Sequence, residues 1–112
     1  MKPGDVVLIR LPQASGGPLK LRPALVLAEL PGPFQSLLIS GISTRLRDLQ
    51  PDWDESIGPG DADYAASGLH EQSAIRLSYL YAADLHEISG VIGRIDASRL
   101  QRLRARLARA VS

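Results

Sequence analysis

The sequence predicts a mainly β fold, a small antiparallel barrel or sandwich, finished by one C-terminal α-helix. Three observations predict it. Short apolar, β-branched runs recur up to Ile95, each bounded by Gly, Pro or Asp. Aromatic residues make up only 4% of the chain, so the core must be built from Leu, Ile, Val and Ala. After Asp96 the apolar spacing changes from strand-like to helical.

Val6-Val7-Leu8-Ile9 follows the turn-prone Pro3-Gly4-Asp5 and is the first predicted strand. Gln13 to Pro18 reads as a flexible connection with a Gly16-Gly17 tip. Pro23 then opens a second strand through Ala28 and holds Arg22 in extended backbone. Ser36 to Ser40 is a third strand, set off by Pro31-Gly32-Pro33. Residues 50–67 are rich in Pro, Gly and Asp, with Trp53, Ile57 and Tyr64 as apolar anchors, and predict an irregular excursion holding at most one weak strand. From Ser73 to Tyr79, Ala74, Arg76 and Ser78 alternate with Ile75, Leu77 and Tyr79, a period of two. Glu87 to Ile95 is the last strand, where Gly90 and Gly93 suggest bulges or close backbone approach. Asp96 is a good N-cap. Leu100, Leu103, Leu107 and Val111 form one apolar stripe behind it, with arginines around the stripe.

At 112 residues, with 45% hydrophobic and 22% charged residues, the chain is expected to form one domain over residues 1–112. It has no cysteine, which excludes disulfides, thiolate metal sites and a cysteine nucleophile. No apolar run approaches the ~18 residues of a membrane span, so a cytoplasmic protein without membrane contact is expected. The net charge of +1 hides a segregation. Up to Asp96 there are 8 basic and 12 acidic residues, a net −4; beyond it Arg99, Arg102, Arg104, Arg106 and Arg109 stand with no acid, a net +5. Residues 48–63 hold six carboxylates and no base, the pattern of a solvated loop or of a surface for a basic partner. The helix arginines read as a solvated face or as a contact for an acidic partner chain or phosphate.

Standard site signatures are absent. His70 and His86 lack metal-ligand spacing, and Gly16-Gly17 lacks the strand–helix context and the Lys-Ser/Thr of a phosphate loop. No metal or other cofactor is expected.

The order of the segments is more informative. Gly4-Asp5-Val6-Val7-Leu8-Ile9, a Gly-rich loop, then Lys20-Leu21-Arg22-Pro23-Ala24-Leu25-Val26-Leu27 resembles the N-terminal signature of the MazF/PemK family of toxin endoribonucleases. The resemblance continues through Ile42-Ser43-Thr44-Arg45, through Gly68-Leu69 with Ser73-Ala74-Ile75-Arg76-Leu77, and through Gly93-Arg94-Ile95-Asp96 into a terminal helix. It covers nearly the whole chain. It implies an SH3-like β-barrel, a homodimer, metal-independent cleavage of single-stranded RNA at short sequences, and neutralisation by an antitoxin peptide.

Metal-free cleavage uses the neighbouring 2′-hydroxyl as nucleophile. The protein must help to deprotonate it, stabilise the dianionic phosphorane and assist the leaving 5′-oxygen. Arg22 matches the family's arginine before proline, and a guanidinium fork can hold two phosphate oxygens at once. Ser43 falls where many members have a catalytic threonine, with Thr44 next to it; neighbouring strand residues face opposite sides, so one of the two shares a face with the site. One branch of the family carries an Arg-x-Asp pair in the strand matching residues 73–79. Here it reads Arg76-Leu77-Ser78, which keeps the arginine and lacks the aspartate proposed there as general base. Arg22, Ser43 or Thr44, and Arg76 are therefore the expected catalytic residues. Lys20, Gly16, Gly17 and Arg45 are the expected substrate contacts, with residues 13–21 gating the groove. Lys20, Arg22, Arg45, Arg47 and Arg76 could form a basic patch opposite the acidic run, and Trp53 or Tyr64 could stack a base. Two rival readings remain: a relative that binds RNA or antitoxin without cutting, favoured by the missing aspartate and the acidic run, and a gyrase poison of the CcdB type.

Overall fold

The chain is described by a computed structural model covering residues 1–11 and 16–112. Its elements in order are β1 (Asp5–Leu11), β2 (Lys20–Glu29), β3 (Leu37–Ser43), β4 (Glu55–Ile57), α1 (Tyr64–Ser67), β5 (Ser73–Ala83), β6 (Ile88–Arg94) and α2 (Ala97–Ala110), with short 3₁₀ turns at Leu46–Asp48 and Leu85–Glu87. The mainly β class with a terminal helix is the one the sequence predicts. All predicted strands are present and most run longer than their apolar cores. The excursion at 50–67 holds one short strand, β4, and the single helical turn of α1.

The strands form one antiparallel sheet in the order β4-β5-β3-β2-β1-β6. Its edges β4 and β6 share no ladder, so the expected barrel is not closed by strand pairing. Close backbone packing of α1 onto β6 lies between them. A Cβ at Gly93 would overlap the Ala66 and Ser67 backbone, and one at Gly68, whose φ is +76°, would overlap the Ile92 carbonyl. Gly93 therefore marks close approach, as its place in a strand suggested. Gly90 meets nothing, but the β1–β6 register slips between Val6 and Val7 and again between Leu8 and Ile9.

Alternation along the strands builds two cores, one on each face. Val6, Leu25, Leu27, Ile42, Ile57, Ile75 and Leu77 pack with Leu103 of α2 on one face. Val7, Ile9, Leu11, Ala24, Val26, Leu37 and Ile39 pack on the other. Burial on both faces is why Val6 to Ile9 and Ala24 to Leu27 read as unbroken apolar runs. Strand β5 serves both cores because it bends: Arg76 pairs with Gly41 and Leu80 with Ser40, leaving Leu77, Ser78 and Tyr79 without a rung in β3.

Helix α2 starts where the sequence places it, but not by the expected cap. The Asp96 side chain makes no capping bond; its backbone N–H donates to Asp63 Oδ2 at 3.1 Å. Leu103 is fully buried and Leu100 and Leu107 pack on the same core, whereas Val111 lies beyond the helix and is 67% exposed, so the stripe ends one residue short of expectation.

Part of the arginine face and part of the acidic segment pair with each other, while Arg102, Arg104 and Arg109 keep exposed surface. Arg99, only 6% exposed, donates to Asp63 through Nε at 2.8 Å and Nη2 at 3.0 Å, and to Glu55 Oε2 at 2.6 Å. Arg102 and Arg106 converge on the same Glu55 at 2.8 and 3.3 Å. Arg104 Nε donates to the Leu27 carbonyl at 2.8 Å, at the step where the β2–β3 register slips. Burial works to raise the Glu55 and Asp63 carboxyls. For Glu55 the hydrogen bond from Arg102 and the charges of three arginines outweigh it, and for Asp63 the bonds from Arg99 and the Asp96 N–H do, so both lie below the usual carboxylate range.

Candidate functional site

Register puts four sequence-predicted residues on one face. Ala24, Gly41 and Arg76 form one rung across β2, β3 and β5, and residues directly opposite in adjacent strands share a side. Two residues along from Ala24 and Gly41, Arg22 and Ser43 fall on that same side, as does Lys20. This is the face opposite α2. Arg22 is half-buried and Lys20 exposed, and neither has an ion pair among the described residues. Pro23 is half-buried directly after Arg22 and stands opposite Leu8, so the arginine's backbone is fixed by ladder and ring together.

Ser43 ends β3, and its Oγ accepts the Arg45 N–H at 3.1 Å. That bond uses a lone pair and leaves the hydroxyl proton free to donate. Thr44 lies past the strand end, exposed and one step out of phase with Gly41 and Ser43. Arg45 is exposed and pairs with Asp48 at 3.1 Å. Gly16 and Gly17 are exposed, in the connection between β1 and β2. The gating segment 13–21 lies partly outside the described residues. Trp53 and Tyr64 both pack against the α2-side core, the anchoring role such residues usually have.

Sequence reasoning missed Asp54. Adjacent residues at β4 send carboxylates to opposite faces: Glu55, paired with Ile75, turns to the arginines of α2, while Asp54 turns to Arg76. Its side chain is fully buried, with Oδ2 3.8 Å from Arg76 Nε. Oδ1 accepts the Ser78 N–H at 3.0 Å and the Ser78 hydroxyl at 2.9 Å, and Oδ2 accepts the Gln50 N–H at 2.9 Å. A carboxylate thus stands beside Ser78, the position where an aspartate is missing from the sequence. The only signal was its membership of an acidic run, which does not single it out. Tyr79 was likewise read only as a strand residue; its ring covers Gly41, where an added Cβ would stand 3.5 Å from it, and so flanks the same rung.

Chemically, the face offers cations on two strands, a hydroxyl between them and a buried carboxylate behind one of them. That set can bind a phosphodiester and stabilise added charge on it.

No curated protein matches the chain by sequence. Among solved structures, the Mycobacterium tuberculosis toxin MazF-mt6 is similar in fold, with a TM-score of 0.69 and 19% sequence identity over 96% of this chain and 95% of that one. Residues 2–111 match the model of a family described as PemK-like, MazF-like toxins of type II toxin–antitoxin systems. With the match spanning all six strands and α2, the chain belongs to that family.

Proposed function

We propose that this protein is a toxin that cleaves single-stranded RNA without a metal, acts in the cytoplasm as a homodimer and is held inactive by a protein antitoxin. The observation that carries the proposal is the rung at Ala24, Gly41 and Arg76, which sets Arg22, Ser43 and Arg76 on one face of three adjacent strands. In this reading Arg22 grips the non-bridging oxygens of the scissile phosphate and stabilises the charge that builds as the 2′-oxygen attacks. Ser43 donates its free proton to the same group. Arg76 supplies a second cation toward the leaving oxygen, and Lys20 extends the positive track along β2.

The test is incubation of the purified, partner-free protein with a mixed RNA pool in EDTA, with cut ends mapped against an Arg22→Ala control. Discrete cuts that vanish in the variant support the proposal. A folded protein that leaves RNA intact refutes it and favours the binding-module reading, for which serine at position 78 is the motivating observation.

A further inference from the structure

We infer that Asp54 is a positioning residue for Arg76, holding that guanidinium for an anionic ligand from across the sheet. The consequence for catalysis rests on the ribonuclease reading; the hold itself does not.

Three features carry the inference. The Asp54 side chain has no exposed surface, so it cannot touch a substrate or take a proton from one. Its oxygens are instead fixed by the Ser78 N–H, the Ser78 hydroxyl and the Gln50 N–H, so the negative charge has a defined place. Arg76 is buried at its Nε end and reaches outward at its tip, with 22% of its side chain exposed. That Nε has no hydrogen-bond partner among the described residues and lies 3.8 Å from Asp54 Oδ2, so the pair is held by charge alone. The Coulomb attraction is strong in this poorly solvated setting, yet no N–H donor is consumed. Both terminal nitrogens of Arg76 remain available for two oxygens of one phosphate.

The bend in β5 makes this arrangement possible. Ser78 belongs to the three residues without a rung in β3, so its backbone N–H is free to bind Asp54. The segment containing Asp54 is anchored in turn on the far face, where Glu55 is locked to Arg99, Arg102 and Arg106. The arginine helix thereby fixes the backbone that presents Asp54.

The experiment compares Asp54→Asn, Arg76→Ala and the double variant in the full chain. Side-chain NMR follows the Arg76 Nε–H, assigned by its loss in Arg76→Ala. The expected result is an ordered signal in the wild type whose order parameter falls below about 0.6 in Asp54→Asn; an unchanged signal overturns the inference. RNA cleavage gives the second readout. Asp54→Asn is expected to lower kcat by roughly 10-fold, short of the ~10²-fold of a 1 Å misplacement, with KM within about 3-fold. It should add no further loss in the Arg76→Ala background. An equal loss in that background means that Asp54 acts through the fold, and overturns the inference. Should Asp54→Asn not fold, Ser78→Ala removes the hydroxyl bond alone and must loosen Arg76 in the same direction. A wild type that binds but does not cut RNA refutes the ribonuclease reading, while the NMR result still decides whether Asp54 holds Arg76.

Discussion

The two faces of the sheet treat their arginines in opposite ways. On the α2 face, Arg99, Arg102 and Arg106 are spent on Glu55 and Asp63 at distances down to 2.6 Å, with Arg99 buried. On the other face, Arg22 and Lys20 have no ion pair among the described residues, and Arg76 meets its carboxylate only at 3.8 Å. The same side-chain type is structural where carboxylates surround it and available where they do not. This also resolves the difficulty of an acidic segment close to a proposed RNA groove. Glu55, Asp61 and Asp63 meet Arg99 of the helix, and Asp54 is buried behind Arg76, so few of those charges confront a phosphate.

The largest expected effect breaks the structural side. Arg99→Ala leaves the buried Asp63 without its counter-charge and removes one of the three arginines that meet Glu55. It should cost about 3–5 kcal/mol of stability, read as a lower denaturation midpoint at an unchanged m-value.

Arg22→Ala breaks the other side. It should lower cleavage by roughly 10²-fold, the scale for removing one preorganised donor, with thermal stability nearly unchanged. A matching fall in stability would place Arg22 in the same class as Arg99.

Acid sharpens the comparison further. Glu55 and Asp63 have carboxyls held below the usual range, so their stabilisation is present above the unfolded value near 4 and is lost as pH falls through their lower folded values. Thermal melts should fall steeply on acidification below about pH 4. The gap between wild type and Glu55→Gln should be widest near neutrality and close over the same window.

The smallest effect is expected at Arg45→Ala. Its pair with Asp48 is exposed, so stability should change by less than about 1 kcal/mol.

Much of the fold was legible because its signals are local. Val6 to Ile9 and Ala24 to Leu27 announce strands buried on both faces, and Asp96 followed by Leu100 and Leu103 announces a helix. What was hidden depends on contacts far apart in the chain. Asp63 and Arg99 are 36 residues apart, and Glu55 and Arg102 are 47; each charge run alone looks like a solvated surface. The one clue was that a net −4 segment and a net +5 segment share a chain that is almost neutral. Within the candidate site, Arg22, Ser43 and Arg76 were expected from resemblance, and strand alternation puts Ser43 rather than Thr44 on the face of Arg22 and Arg76. Asp54 was hidden because its value comes from a one-residue alternation with Glu55 at a strand too short to be read.

The most direct measurement is the cleavage rate per folded molecule of Arg22→Ala and Arg99→Ala, at a temperature where both are folded. Arg22→Ala is expected to be about 10²-fold slow and as stable as wild type, and Arg99→Ala to be less stable yet to lose no more in rate than the roughly 10-fold expected of Asp54→Asn. Equal rate losses in the two variants, or none in Arg22→Ala, would contradict the division of labour between the two faces.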